Sequence, residues 1–409
     1  MFPALLKVRQ EISAPEIPDP ISSLRKKMER FRGIIQSGEK VAIACGSRGI
    51  SRPGSIIKAV VDWVKSEKGR PFIVPAMGSH GAATSEGQKR VLAALGISES
   101  TIGCPVRSQI QAQKIGALQG VGVFTDRFAL KADHLILVNR IKPHTSFHGR
   151  YESGLCKMLA VGLGKRRGAE EMHKAGPARL AELIPKVAGF VLQKLPLLFG
   201  VALLENHRER IALLEVLAPG EFLKREPELL EKSWKLLPRL PFQELEVLVV
   251  DELGKDKSGT GMDTNVIGRL DLRGMPEPSA PTIRRIVVLG ISKPSQGSAY
   301  GLGLADITTK EVVDQLDYEA MRQNALASGF PERARIPLFF NSDREAIAAA
   351  IHTCWCPEPD SLRFCRIKST LELEEFWCTE NLLAQSKIPL QIISRKSRLR
   401  FNSQGKLIN

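Results

Sequence analysis

The sequence predicts an α/β fold with two domains, on three observations. At 409 residues the chain is too long for a single small hydrophobic core. Over its first two-thirds, short apolar runs alternate with amphipathic segments, as expected of a mostly parallel sheet flanked by helices. A proline- and glycine-containing passage at 272–281 then precedes a smaller α/β region. We therefore predict an N-terminal domain at 1–271 and a smaller C-terminal domain at 282–409.

Each predicted element rests on its own local pattern. The first helix has Pro53 in its opening turn, where the missing N–H costs nothing, and Thr84 or Ser85 is the expected N-cap of the second. The predicted helices are 53–66, 85–95 and 177–193. The predicted strands are 41–45, 71–76, 134–139, 199–204 and 245–250 in the first domain and 285–291, 336–340 and 362–367 in the second, with a hairpin around 402–405.

Hydropathy, cysteine content and net charge favour or disfavour several classes of protein. The longest apolar stretch, 191–204, is interrupted by polar residues and proline and falls short of the roughly 20 residues of a bilayer span. The N-terminus does not have the pattern of a signal peptide, so we expect a cytoplasmic protein. Seven scattered cysteines favour reduced thiols over a disulfide framework. The net charge of +15 is spread along the chain, which favours an anionic small molecule over nucleic acid as the partner.

The segment 140–176 concentrates residues that can do chemistry. It contains His144, His148 and His173, three of the seven histidines, around one isolated lysine, Lys157. Lys157 ends a small-residue turn, Ser-Gly-Leu-Cys-Lys, and is followed by an apolar run. A lysine in such a setting can pair with an anion, lose its proton or form a covalent bond, and imidazoles can transfer protons or bind metals. The cluster indicates a functional site.

Unusual residues also follow the predicted strands. Ligands of open α/β sheets bind beyond the carboxyl ends of the strands. Ser47 and Arg48 follow the first predicted strand, suiting a phosphate or carboxylate, while His80 and His144 follow two others. We expect these residues to converge on one cleft. By contrast, His148 reads as a loop residue, and the histidines at 134 and 207 as structural or solvated.

In the order and context of these motifs the chain resembles the nickel-dependent lactate racemase family and its 2-hydroxyacid racemase and epimerase homologues. Pro143-His144 is similar to the family's Pro-His motif, and the turn ending at Lys157 to the turn whose lysine bonds covalently to a nickel-pincer nucleotide. The sequence Gly-Ser-His at 78–80 resembles the motif of the first catalytic histidine. His173 stands at the interval of the nickel ligand.

Two further correspondences concern the cofactor and the substrate. Ser47-Arg48 resembles the family's cofactor-contacting Thr-Arg motif by position, although 51–53, Ser-Arg-Pro, resembles it more closely in sequence. Lys293 and Gln296 are nearest in type to the family's substrate-binding Gln and Lys. The neighbouring run 298–306 is a different motif, and the acidic residue beside the Thr-Arg motif is missing.

The resemblance implies racemisation of a 2-hydroxy acid by hydride transfer to and from the nickel-pincer nucleotide. His80 and His144 would each move the hydroxyl proton for one enantiomer, since a proton acceptor is needed on either side of the substrate. Lys157 would anchor the cofactor, Ser47 and Arg48 would contact it, and His173 would complete a square-planar Ni(II) site. Lys293 and Gln296 would bind the substrate.

Two alternatives to this function stay open. An epimerase of a larger sugar acid could use the same scaffold, with the altered motif at 298–306 supplying extra polar groups. A non-catalytic protein could bind a metal or nucleotide directly through His80, His144 and His173. The expected partners are a small 2-hydroxy acid and the enzymes that synthesise the cofactor, with neither nucleic acid nor membrane.

Overall fold

The computed structural model describes residues 2–47, 50–78, 80–81, 84–356 and 361–408. Its strands are β1 (Ala4–Gln10), β2 (Lys40–Cys45), β3 (Arg70–Pro75), β4 (Ala112–Leu118), β5 (Val121–Asp126), β6 (His134–Arg140), β7 (Leu197–Glu205), β8 (Ile211–Leu217), β9 (Glu244–Val250), β10 (Thr282–Val288), β11 (Ile307–Thr309), β12 (Leu338–Phe340), β13 (Phe364–Ile367), β14 (Glu375–Cys378), β15 (Leu390–Ile392) and β16 (Ser397–Arg398).

The helices cover the segments between these strands. They are α1 (Pro20–Met28), α2 (Pro53–Ser66), α3 (Ser85–Ala94), α4 (Glu99–Ile102), α5 (Arg127–Leu130), α6 (Leu155–Lys157), α7 (Lys165–His173), α8 (Gly176–Leu192), α9 (Phe222–Leu236), α10 (Thr264–Ile267), α11 (Lys310–Asp314), α12 (Tyr318–Ser328), α13 (Asp343–Thr353) and α14 (Glu380–Leu383). A π-helical turn, Met158–Gly162, follows α6 directly. In the described part of the chain no helix is long and apolar enough to cross a membrane.

The chain divides into two compact units. The larger unit is Ser13–Leu237, and the smaller unit combines Met1–Ile12 with Pro238–Asn409. These units differ from the predicted domains because the segment 272–281 joins β9 and β10, which pair in parallel within one sheet. Strand β1 belongs to the smaller unit because it pairs antiparallel with β14.

The larger unit is built on a five-stranded sheet in the order β3-β2-β6-β7-β8. The first four strands are parallel and β8 runs antiparallel to β7. Both faces of β2 are buried: Ala42 and Ala44 belong to one hydrophobic cluster, Val41 and Ile43 to another. A parallel sheet covered by helices requires apolar residues on both faces. Strands β4 and β5 form a separate hairpin.

The smaller unit contains a nine-stranded mixed sheet. Its order is β12-β11-β10-β9-β13-β14-β1-β15, with β16 pairing to β1. The strands from β12 to β13 are parallel, and those from β14 onward pair antiparallel. Strand β9 of this sheet is also buried on both faces. Its residues Leu248 and Val250 pack in one hydrophobic cluster, and Val247 and Val249 pack in another. The α/β class predicted from the sequence is confirmed.

Candidate active site

The candidate site lies at one edge of the five-stranded sheet. Because β2, β3, β6 and β7 are parallel, their carboxyl ends lie at the same edge. Arg140, the last residue of β6, forms an ion pair with Glu205, the last residue of β7. The same glutamate accepts the backbone N–H of Ser51. The loops that follow these strands carry Ser47, His80 and His144.

His80 stands in a tight turn and is bonded to Ser47. Gly78 and Gly81 on either side have positive φ angles of 59° and 69°, which favour glycine. The buried Gln88 side chain donates to the carbonyls of Gly78, at 3.0 Å, and His80, at 3.4 Å, and so fixes the turn. The exposed imidazole of His80 forms a hydrogen bond through Nδ1 to the hydroxyl of Ser47. Two sequence-predicted site residues are therefore joined.

The other predicted residue of the motif at 47–48 cannot be placed in this arrangement. Arg48 lies outside the described residues, as does Ser79 of the His80 motif. Ser47 is half-buried, and its hydroxyl faces the imidazole of His80. Its hydroxyl can either donate to Nδ1 or accept from it. His80 can consequently carry its proton on either ring nitrogen without losing this bond.

His144 sits in a loop organised around a buried carboxylate. A pair of backbone hydrogen bonds between Lys142 and Ser153 closes the loop at its base. Inside it, Glu152 is only 1% exposed and accepts the backbone N–H of His144 at 2.5 Å. Its carboxylate also lies 3.4 Å from Nδ1 of the exposed His148. His148 thus contacts the support of the loop, in agreement with its interpretation as a loop residue.

Two contacts orient the imidazole of His144 among those made by the described residues. It stacks on Phe147, with ring centroids 4.2 Å apart and an interplanar angle of 27°. The backbone N–H of Ser146 donates to His144 Nδ1 at 3.1 Å. Because a backbone N–H can only donate, the neutral ring carries its proton on Nε2. His144 therefore differs from His80, whose hydroxyl partner accommodates either tautomer.

Lys157 also contacts Phe147. Its ammonium lies 5.4 Å from the centroid of the Phe147 ring, a cation–π distance. Phe147 is 1% exposed, whereas Lys157 and His144 are both half-buried and so keep part of their side chains accessible. The structure thus brings Lys157 and His144 to one aromatic ring, and their roles in a shared site stay a prediction.

The helical segment that carries Lys157 is packed onto the strand ends. The Asn139 side-chain amide donates to the carbonyl of Gly154 at 2.8 Å. At the other end of the segment, Gly162 accepts the backbone N–H of Gly78 at 3.1 Å. A Cβ at Gly162 would lie 2.6 Å from the carbonyl oxygen of Ala76, so only glycine permits this approach. Lys157 is therefore fixed to the ends of β6 and β3.

A buried ion pair connects the next helix to the same edge. Lys165, which begins α7, and Asp126 are both 0% exposed, and Lys165 Nζ lies 3.0 Å from Asp126 Oδ2. The ammonium also donates to the carbonyl of Pro75, the last residue of β3. Burial lowers the pKa of Lys165, while Asp126 opposes that change. This lysine is structural, and its role is to hold α7 against β3.

His173 is the last residue of α7 and is half-buried. Among the described residues no group of three or more His, Cys, Asp or Glu side chains could hold a metal ion. None of the seven cysteines, which all lie within the described ranges, forms a disulfide, as expected from their spacing. A metal bound through His173 would therefore need most of its ligands from a cofactor. His173 on α7 and Lys157 on the preceding α6 offer one imidazole and one amine to such a group.

The two predicted substrate residues belong to the smaller unit. Lys293 begins a 3₁₀ turn, Lys293–Ser295, after β10, and the exposed Gln296 follows it with a φ of 47°. The turn is organised by Ser292, whose hydroxyl bonds to Asp256 and lies 2.8 Å from that of Ser295. Both predicted side chains are exposed at the carboxyl end of β10. Their role in substrate binding stays a prediction.

Sequence reasoning missed several residues that build the site. Asn139, Lys165 and Asp126 act through contacts between separate segments of the chain, which no local pattern shows. Glu152 acts within the loop of His144, but its burial there is not visible in the sequence. Glu226 was also missed, although a signal existed. It lies on the buried face of α9 together with Phe222, Leu229 and Leu230, where a carboxylate is unusual.

Comparisons with known proteins give little beyond this geometry. No protein-family model matches the chain, and no curated protein matches it in sequence. Among solved structures, the lactate racemase apoprotein from Thermoanaerobacterium thermosaccharolyticum is similar to 81% of this chain over 84% of its own length. The identity is 12% and the TM-score 0.44. A structural similarity this weak establishes neither a family nor an activity. The support for a function comes from the site residues.

Proposed function

We propose that the protein is a racemase or epimerase of a 2-hydroxy acid that uses a nickel-pincer nucleotide bound covalently to Lys157. The observation that supports this most directly is the arrangement around Phe147, where the His144 ring and the Lys157 ammonium contact one buried aromatic side chain. An imidazole and an accessible amine provide a proton-transfer group and an attachment point for a cofactor. The Ser47–His80 pair supplies a second imidazole at the same sheet edge.

The chemistry calls for an electrophilic cofactor. Removing the C2 proton of a 2-hydroxy acid would place a carbanion beside a carboxylate, which has a high barrier. The bound cofactor would supply hydride acceptance and return, so that C2 passes through a planar 2-oxo acid. Lys157 would hold it covalently and His173 would be the protein ligand to nickel. The protein's own task is then to move the hydroxyl proton and to orient the acid.

His80 is suited to take and return the hydroxyl proton. When Nδ1–H donates to Ser47, Nε2 carries a lone pair and acts as a base; when the serine donates, Nε2–H acts as a donor. The exposed ring can meet a substrate oxygen directly. Ser47 thus serves His80 in this proposal, beside the cofactor contact predicted from its motif.

The neutral His144 ring starts from a single tautomer, with its proton on Nε2. With Ser146 donating to Nδ1, its Nε2–H donates a hydrogen bond to a substrate oxygen. To accept a proton at Nε2 the ring must first give up the Ser146 contact, at a cost of about 0.5–1.5 kcal/mol. This cost is small compared with a catalytic barrier, so His144 can still act as the second base.

The decisive experiment is an intact-mass measurement on protein produced together with cofactor-synthesis enzymes. We expect one nucleotide adduct per chain, located at Lys157 by peptide mapping and absent from Lys157→Ala. The exposed Lys174, paired with Glu171 at 2.8 Å, provides the matched control, since Lys174→Ala should keep the adduct. An unmodified Lys157 in the wild-type chain would contradict the proposal.

Chiral chromatography of a panel of acids identifies the substrate class. Interconversion of small 2-hydroxy acids supports the proposal as stated, whereas activity only on sugar acids would point to the larger-substrate epimerase. An adduct without any turnover would instead indicate a nucleotide-binding protein without catalysis.

A further inference from the structure

The helical segment that carries Lys157 has no N-cap of its own. It runs from Leu155 through Lys157 into the π turn that ends at Gly162. The residue at its N-cap position is Gly154, which has no side chain to accept the first backbone N–H groups. Such groups need an acceptor when they are buried, and Leu155 and Cys156 are both 0% exposed. The acceptor must come from elsewhere in the fold.

Glu226, on α9, supplies that acceptor from 70 residues away. Its Oε2 accepts the backbone N–H of Cys156 at 2.9 Å. Gly154 makes room for it, because a Cβ there would lie 2.4 Å from Oε1 and 2.5 Å from Cδ of the glutamate. Gly200 of β7 does the same for its neighbours, since a Cβ at that position would lie 2.4 Å from the Phe222 ring and 2.8 Å from Leu155. Glycine at positions 154 and 200 therefore leaves the space in which Glu226, Phe222 and Leu155 pack.

The carboxyl is buried and only partly satisfied. Glu226 is 1% exposed, and its Oε1 has no hydrogen-bond partner within the described ranges. Burial raises the pKa of Glu226 to about 7, against the lowering effect of the Cys156 N–H. The neighbouring titratable groups are the Cys156 thiol and the Tyr151 phenol, whose pKa values burial also raises. Of these three groups around Cys156, therefore, only Glu226 changes its charge near neutral pH, whereas His144 lies at the other end of the segment, where it shares the Phe147 ring with Lys157.

We propose that Glu226 is a positioning residue for Lys157: its carboxylate replaces the missing N-cap and holds the segment that presents the lysine to Phe147. An ionised carboxylate at the start of a helical segment both accepts a stronger hydrogen bond and complements the dipole. The segment is held more firmly when Glu226 is ionised and less firmly when it is protonated. The inference rests on the proposed function only in giving Lys157 a catalytic task.

Hydrogen exchange of the full chain tests the cap without any cofactor. We compare the Cys156 amide in the wild type, in Glu226→Gln, which keeps the shape but not the charge, and in Glu231→Gln, which changes an exposed glutamate of the same helix. After correction for intrinsic exchange and for the loss of global stability that ionisation of the buried Glu226 causes, protection in the wild type and in Glu231→Gln should rise about tenfold as the pH rises through 7, the size expected for a charge-assisted bond. Glu226→Gln should show no such rise.

Acetylation of Lys157 by a small anhydride, followed by peptide mass spectrometry, reports the effect on the lysine itself. Its rate should show an inflection near pH 7 in the wild type that is missing from Glu226→Gln. A wild-type chain without either change near pH 7 would overturn the proposal, and this measurement needs no variant.

The intact-mass experiment separates this inference from the proposed function. A pH-dependent cap in a chain that never acquires the nucleotide would leave the role of Glu226 standing and remove the racemase assignment. The opposite result is an adduct at Lys157 together with identical exchange and acetylation profiles in the wild type and Glu226→Gln. It would leave the racemase assignment standing and remove the role of Glu226.

Discussion

Replacing Lys165 by methionine isolates the contribution of the buried ion pair beneath the site. Methionine has nearly the same side-chain length as lysine. It also keeps the strained backbone conformation at position 165, where φ is 54°. It leaves Asp126 0% exposed and without the ammonium that lay 3.0 Å from its Oδ2. Removing one partner of a buried pair costs about 3–5 kcal/mol, because the remaining charge is uncompensated. We expect the free energy of unfolding of the larger unit to fall by this amount.

Urea denaturation measures this loss, followed by the fluorescence of Trp63 and Trp234, which both lie in the larger unit. Arg166→Met is the matched control, since the neighbouring Arg166 pairs with Glu170 at 2.7 Å but both side chains are largely exposed, at 62% and 43%. Exposed pairs of this spacing contribute about 0.3–0.5 kcal/mol. The control should therefore unfold close to the wild type.

A second variant checks the cause of the loss. Asp126 Oδ1 accepts the N–H groups of Phe128 and Ala129 at 2.7 and 3.1 Å, and asparagine can keep these bonds. Lys165→Met with Asp126→Asn should recover much of the stability because no charge stays buried. If Lys165→Met alone costs less than about 1 kcal/mol, or if the double variant is worse than the single one, the reasoning from charge burial is wrong.

Three further predictions concern the chemistry and its support. His80→Ala and His144→Ala should each slow racemisation by about 10²–10⁴-fold while keeping nickel and adduct, as measured by chiral chromatography; rates near wild type would remove the two-base assignment. His173→Ala should lower nickel per chain, by elemental analysis, far more than His148→Ala, and equal losses would exclude His173 as the ligand. Burial raises the pKa of Glu226 from 4.5 to about 7, so between these pH values the folded state binds more protons than the unfolded state. The unfolding free energy of the wild type should therefore fall by about 3 kcal/mol from pH 4.5 to 7 relative to Glu226→Gln, and parallel pH curves would contradict this.

Local patterns predicted the elements of the larger unit well. The helix at 53–66 has the predicted bounds, and Thr84 caps α3 by accepting from Gly87. The buried strands at 41–45 and 134–139 differ by one residue at one end. These elements are long apolar runs with clear start signals, and their pattern depends on neighbours in sequence. The turn at 402–405 is also present, closed by a bridge between Phe401 and Leu407.

The division of the chain could not be predicted in the same way. The passage at 272–281 has the composition of a linker, yet β9 and β10 on either side of it are hydrogen-bonded neighbours. Strand β1 pairs with β14 through contacts such as Leu6 with Cys378, which no window of local sequence contains. The supports of the site share this property. Glu226 and Asn139 each act on the Lys157 segment through one contact whose partner is set only by the tertiary fold.

The placement of β1 has a consequence for synthesis on the ribosome. Residues 13–237 form a compact unit whose strands are all made before residue 238, so this unit can fold while translation continues. Strand β1, although made first, has to wait for β14, β15 and β16 near the end of the chain. At about 5–20 residues per second the delay is on the order of twenty to eighty seconds. During that time β1 stays without its partner strands.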